Sequence, residues 1–293
     1  MNKITIIAAI LMCSTVAAQE FTHELSVNIG GGVSSFQTQP SQGDNLMQLT
    51  GTVGLGYHFF FNPQWGIGSG VNFAAYKGGI IINNYEDKQT SVNTETGHTF
   101  DFLVSSSIYK ETQQTTMIII PLMAQYQTEG ETAFYVSLGF KTGIPFLAKS
   151  QSKGAYTTKG YYQNLNVTYE DLPDYGFVTN QPFPGNKTGI RVKPVLIAST
   201  ELGIKCRLDE STSLYIGIYA DCGLTNMSKK GNKDNHNLVV YQFSSPAQLE
   251  YNTAAGSYAK KLTPFAVGIN LRFAYGRETL RRATPTANET QVW

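Results

Sequence analysis

The chain has 293 residues, long enough for one large all-β domain or two smaller ones. Its 22 Lys and Arg against 21 Asp and Glu leave a formal charge of +1, which excludes a global field that would favour nucleic acid or anionic lipid. Only 15% of residues are charged while Gly (28), Tyr (17) and Phe (16) are abundant, a balance that suits a β-barrel or a secreted β-sandwich.

In chain order, the first predicted element is a signal peptide. Lys3 supplies a positive start, Ile4 to Cys13 an apolar run, and Val16-Ala17-Ala18 a small-residue cleavage site before Gln19. Met1–Ala18 is therefore expected to be removed. Cys13 raises a lipoprotein alternative, but the residue before it is Met12, where that processing resembles a demand for Gly, Ala or Ser.

Strands with unlike faces follow, read from a period of two. The first runs from about His23 to Phe36, with Leu25, Val27, Ile29 and Val33 alternating with Glu24, Ser26, Asn28, Gly30 and Gly32. The second, about Met47–Phe61, sets Leu49, Val53, Leu55, Tyr57 and Phe59 against Thr50, Thr52, Gly54, Gly56 and His58. Asn62-Pro63 turns the chain into a third strand, Gln64–Lys77. A fourth, Thr115–Gln127, carries Ile118, Ile120, Leu122 and Tyr126 on the apolar parity, and Pro121 predicts a bulge because it cannot donate to a ladder. Glu129-Gly130-Glu131 leads into a fifth, Thr132–Phe146.

Arg191–Asn226 writes one long hairpin as strands six and seven. Val192, Leu196, Ala198, Leu202 and Ile204 mark the apolar face of one arm, and Leu214, Ile216, Ile218, Ala220 and Leu224 that of the other. Cys206 and Cys222 fall about nine residues apart along these arms, roughly 30 Å, so they read as two free, lipid-facing thiols. The eighth strand, Thr263–Gly276, alternates Phe265, Val267, Ile269, Leu271, Phe273 and Tyr275 with Ala266, Gly268, Asn270, Arg272 and Ala274.

No later segment approaches the ~18 continuous apolar residues of a membrane helix, so a membrane form would have to be a closed barrel. Connections after strands two, four and six are a few residues long. Those after strands one, three, five and seven span roughly Gln37–Leu46, Gly78–Gln114, Leu147–Ile190 and Met227–Leu262. Short turns at one end and long loops at the other is the outer-membrane pattern, with short turns and termini in the periplasm. Thr99–Tyr109 reads as an extracellular hairpin extension, because one added strand would break the alternation.

A lipocalin-like barrel would point its apolar face inward. The inverted arrangement is favoured by aromatics of apolar parity near the short turns: Tyr57, Phe59, Phe61, Trp65, Tyr126, Phe134, Phe273 and Tyr275. They resemble an interfacial girdle. The other face mixes glycine with Lys141, Lys193, Glu201, Lys205, Asp221 and Arg272, which suits a narrow lumen crossed by paired charges. The fold class expected is an all-β, eight-stranded antiparallel up-and-down transmembrane barrel with long extracellular loops, over residues 19–277.

The signal peptide, the eight strands and the segment Ile118-Ile119-Ile120-Pro121-Leu122 resemble the outer-membrane β-barrel domain family of porin-like, PorT-like proteins. Gly268-Ile269-Asn270-Leu271-Arg272-Phe273 is similar to the C-terminal assembly signal of such barrels, though Ala266 stands where a polar residue is expected. The resemblance implies insertion by the barrel-assembly machinery, outer-membrane lipid around the barrel, and a structural role or an accessory or conduit role in export. Some relatives carry a peptidoglycan-binding domain after the barrel. Here a short periplasmic tail, residues 278–293, is expected instead.

Chemistry is sparse. His23, His58, His98 and His236 fall on two strands and two loops with no metal-ligand spacing, so no metal or cofactor is expected, and the near-neutral charge gives no expectation of a nucleic-acid partner. A rim enzyme would need a pair such as His98 and Asp101, but almost any loop of this length offers one, and no catalytic residue is assigned. The third long loop is tyrosine-rich: Tyr156, Tyr161, Tyr162, Tyr169 and Tyr175, with Phe177 and Phe183. It reads either as a binding surface for an extracellular partner or as aromatics packing on one another.

Overall fold

The structure is a computed structural model that describes residues 21–38, 43–93, 97–228, 237–242, 246–253 and 261–279. The expected leader, His236 and the tail beyond Thr279 lie outside the described residues. In chain order the strands are β1 (Phe21–Thr38), β2 (Asp44–Phe60), β3 (Trp65–Val92), β4 (Thr99–Gln127) and β5 (Thr132–Tyr162). Three short strands follow, β6 (Val167–Tyr169), β7 (Gln181–Pro182) and β8 (Thr188–Gly189), with a 3-10 turn at Pro173–Tyr175. Then come β9 (Val195–Arg207), β10 (Thr212–Gly223), the hairpin β11 (Val239–Gln242) and β12 (Gln248–Tyr251), and finally β13 (Leu262–Thr279).

Eight of these form a ring. Each of β1 to β5 pairs antiparallel with the next, β5 pairs β9, β9 pairs β10, β10 pairs β13, and β13 returns to β1. The closing pair runs in unbroken register from Phe21↔Thr279 to Thr38↔Leu262. Within the ring each of the eight strands has a hydrogen-bonded neighbour on both sides, which an open sheet in lipid does not offer.

The three short turns are fixed by local chemistry. Asn62 Oδ1 accepts from the backbone N–H groups of Gln64 and Trp65 at 2.9 and 2.7 Å. Asp209 Oδ1 does the same for Ser211 and Thr212 at 2.8 and 2.7 Å, and the Ser211 bond leads in holding its carboxyl below the ordinary value. Between β4 and β5, Gly130 takes φ +121°, a conformation L side chains rarely adopt.

The parity of the ring is inverted relative to a soluble protein. Leu25, Leu55, Leu122, Phe134 and Ile218 are 62–70% exposed on the outer side, while Glu24, Arg272 and Asp221 are 5% exposed or less inside. Cys206 pairs with Leu214 and Cys222 with Ala198 in register, so the two sit eight positions apart (206 − 198) and both are free, as the alternation implied.

Two expectations need correction. Pro121 stays in register opposite Lys141 and makes no bulge; the irregularity falls at Thr116/Met117, which face Leu147 and Pro145 and leave Phe146 as the extra residue of β5. The segments 78–114 and 147–162 are not loops. They carry β3, β4 and β5 on in a continuous three-stranded sheet, with Ile80↔Glu111, Asp87↔Val104 and Val104↔Thr158 among the pairs. Thr99–Tyr109 is indeed part of a hairpin extension, with β3 as its partner.

This outer sheet has its own core. Ile80, Ile82, Phe100, Phe102, Tyr109, Tyr156, Phe177 and Phe183 are buried together with Leu238 and Val239. The Phe102 ring lies 5.0 Å from Tyr241 and 6.5 Å from Phe177, so the loop after β5 and the β11–β12 hairpin close over the sheet. Phe102→Ala is expected to cost the extension about 3–5 kcal/mol. Limited proteolysis should then cut the extension while the heat-modified gel mobility of the barrel stays unchanged; equal loss of both would mean the two are one cooperative unit.

Candidate functional site

The inward parity brings charged side chains into the middle of the ring. Lys141 Nζ lies 2.8 Å from Asp221 Oδ1, and Asp221 also accepts from Ser199 Oγ at 2.7 Å and the Tyr76 hydroxyl at 2.6 Å. Nearer the short turns, Lys205 Nζ is 2.8 Å from Glu24 Oε1, and the Tyr215 hydroxyl donates to Glu24 Oε2 at 2.7 Å. Lys205 also lies over the Tyr215 ring at 5.1 Å, where the ring face attracts a cation.

Between these pairs, Arg272 donates to His58 Nε2 at 2.6 Å and to Gln125 Oε1 at 2.7 Å, with its guanidinium 3.8 Å from the centre of the Tyr215 ring. Glu201 accepts from the Tyr135 hydroxyl and from Asn270 Nδ2, the latter at 3.1 Å. Room for these contacts comes from small neighbours: a methyl group at Gly217 would overlap the Tyr135 hydroxyl, and one at Gly68 would overlap the His58 ring.

Of the six charged residues read from the alternation, the ring gathers five. Lys193 is the exception: it precedes β9, is exposed, and its backbone N–H donates to Met227 O at the far end. The strand begins at Val195 and not at Arg191, four residues later than the alternation suggested, because Pro194 interrupts it. Glu201 also differs from expectation, since among the described residues it is held by neutral donors and not by Lys or Arg. Glu24, His58 and Gln125 were missed as members of the network. Glu24 and His58 already stood on the polar parity of their strands; the ring placed them opposite Lys205 and Arg272.

An apolar layer covers the charges on the side of the outer sheet: Phe36, Met117, Ile119, Val195, Ile197, Met227 and Leu262 pack around Tyr76 and Tyr219. Beneath it lies a cavity of about 80 Å³ lined by Lys141, Glu201, Asn270 and Arg272 among others. That is room for several waters, and buried polar atoms on its wall, Asn270 Oδ1 and Arg272 Nε, have no protein partner. The lumen is thus filled by side chains, with a small polar cavity.

The eight aromatics of apolar parity lie where the alternation put them, on the outer side near the short turns. Tyr57, Phe61, Trp65, Phe134, Phe273 and Tyr275 are exposed, and Phe59 and Tyr126 half-buried. Trp65 pairs with Tyr126 in register, their rings 4.9 Å apart.

In the outer sheet, Asp101 is buried and bonded to Lys88 at 2.8 Å, to Thr90 and to Gln163. Lys88 leads the contacts that hold its carboxyl below the ordinary value. His98 is exposed at the hairpin tip. The tyrosine-rich loop divides: Tyr156, Tyr162, Phe177 and Phe183 are buried in the extension, whereas Tyr169 and Tyr175 are exposed.

Comparison with known proteins gives a family. Among curated proteins none matches the chain in sequence. Ail, the attachment invasion locus protein of Yersinia pestis, is similar at 11% identity and a TM-score of 0.31, over 87% of this chain and 99% of its own. The outer membrane protein OprG of Pseudomonas aeruginosa is similar at 10% identity and a TM-score of 0.34, over 89% and 97%. Neisserial surface protein A stands at 7% and 0.30, over 86% and 95%. The assignment rests on the sequence match to the family described as the outer membrane protein beta-barrel domain, which spans residues 17–278. With its antiparallel eight-stranded ring and exposed apolar face, this chain belongs to the outer membrane protein beta-barrel domain family and is a protein of the bacterial outer membrane.

Proposed function

We propose that the protein is a non-conducting outer-membrane barrel whose role is structural or surface-binding, exercised through a β-structured platform outside the cell. The observation that carries this reading is the continuation of β3, β4 and β5 beyond the ring into a sheet with its own aromatic core. Loops that merely closed a barrel would have no need of a second core. A rigid platform lowers the ordering cost of binding an extracellular partner, and Tyr169 and Tyr175 offer exposed aromatic area on it. In this orientation both termini and the three short turns are periplasmic, the eight outward aromatics sit at headgroup depth, and the barrel-assembly machinery inserts the chain from that side.

Two measurements test the reading. An epitope tag at Gly185, exposed in the loop between β7 and β8, should be reachable on intact cells, while one after Trp293 should need permeabilisation; the opposite pattern would reverse the orientation. Single-channel recordings in planar bilayers should be silent or show only small, rare events, because eight strands enclose an interior that side chains fill. A steady, large conductance would refute the plug and favour a conduit.

A further inference from the structure

The outer face of β3, β4 and β5 changes character abruptly at one height. On β3, outward positions from Trp65 to Ala75 include Ile67, Val71 and Phe73, and the next outward residue is Lys77. Ten residues rise about 33 Å along a strand, roughly 25 Å after the usual tilt, which is the height of an apolar membrane band. On β5 the band ends at Leu147, and the next outward residue is Lys149.

Register assembles these lysines into two rows just past the band. Lys77 pairs with Gln114, which pairs with Lys149; four positions further along β4, Lys110 pairs directly with Lys153. Lys110, Lys149 and Lys153 are exposed and Lys77 is half-buried. Among the described residues none of the four has a carboxylate within 4.0 Å. The acid on these rows is Asp44, opposite Ile81 and a further strand away from Lys110. Glu111 is fully buried on the other side of the sheet. Like charges directly opposite each other in a ladder are unfavourable unless an anion lies between them. The chain as a whole is close to neutral, so this is a local concentration of charge and not a consequence of composition.

We propose that Lys77, Lys110, Lys149 and Lys153 form a docking face for the phosphate groups of the lipid headgroups that surround the barrel at this rim. The complementarity is one of sign and of height: Lys77 and Lys149 stand where the apolar band gives way to the headgroup layer, and Lys110 and Lys153 follow about 13 Å further along the strands. The assignment of this rim to the outside, and so to phosphorylated glycolipid, rests on the orientation proposed above.

The test uses the full chain folded in phosphatidylcholine vesicles containing either bisphosphorylated lipid A or lipid A stripped of both phosphates, then extracted in mild detergent. Bound lipid A is counted by mass spectrometry. Wild type should retain the phosphorylated form in preference, Lys110→Gln should reduce that retention about fivefold, the contribution of one basic residue near an anionic surface, and the fourfold K77Q/K110Q/K149Q/K153Q variant should fall to the level of the stripped lipid. The matching fourfold arginine variant should keep the preference, which covers the case where the glutamine variant does not fold. Equal retention of both lipids by wild type, or an undiminished preference in a folded fourfold glutamine variant, would overturn the proposal. So would uptake of inorganic phosphate or dextran sulfate by wild type with no preference for phosphorylated lipid, which would make the face a site for soluble anions. Extracted protein has no sidedness, so a positive result stands even if the tag at Gly185 proves unreachable; that outcome would move the face to the other leaflet and overturn the orientation alone.

Discussion

Asp221→Ala is expected to lower the stability of the barrel by about 3–5 kcal/mol, the usual consequence of removing one partner from a buried ion pair. Asp221 is 2% exposed and accepts hydrogen bonds from Lys141, Ser199 and Tyr76, so its loss strands an ammonium group and two hydroxyls in a space with little access to bulk water. The pair does not need to be strongly stabilising for this to hold. Its formation roughly balances desolvation against attraction, whereas an orphaned charge has only the first term. Urea unfolding in vesicles checks the effect. Adding Lys141→Met to Asp221→Ala should recover much of the loss, because the stranded charge is then gone. If Asp221→Ala is neutral, or if the double variant is no better than the single, the lumen is wet enough to solvate Lys141 and the side-chain plug fails.

Ile218→Arg should cost about 2–4 kcal/mol, and Thr212→Arg on the same strand and face about 0–1 kcal/mol, because the penalty for a cation on a lipid-facing strand depends on depth. Ile218 is 62% exposed and lies between Leu202 and Ile269 in register, near the middle of the apolar band. Thr212 opens β10 at the short-turn end, opposite Tyr275. In water, an exposed isoleucine changed to arginine would do almost nothing. Equal folding of the two variants into vesicles would therefore remove the outer face of β10 from the bilayer.

The ring itself was legible because one physical signal wrote it eight times. A strand with lipid on one side and a packed, charged lumen on the other must alternate, and any slip of one residue would invert the two faces. That is why strands such as His23–Phe36 and Thr263–Gly276 lie wholly within β1 and β13, and why the parity of Lys141, Glu201, Lys205, Asp221 and Arg272 sufficed to place them inside. The family resemblance carried by the Ile118–Leu122 segment pointed the same way.

What alternation could not carry was anything that crosses a break in its phase. At Phe146 one extra residue flips β5, so Lys141 faces inward on odd numbers and Tyr156 on even ones. Near Asn84, which takes φ +49°, the buried positions of β3 step from Ile82 to Tyr85. Read along the sequence, each break looks like the end of a strand. Only pairing with a neighbour shows that the strand continues.

The partners inside the lumen had the same origin. Alternation assigns a side to Glu24, His58 and Arg272, but not an opposite number, because the residues that meet across the ring are 181 positions apart for Glu24 and Lys205 and 214 for His58 and Arg272. The sequence alone therefore settled, within each unbroken run of alternation, which residues face outward and which inward, since that follows from local periodicity. Which charges pair, which lysines share a row, and that the long connections carry a second core were decided by closure and register, which exist only once distant strands have met.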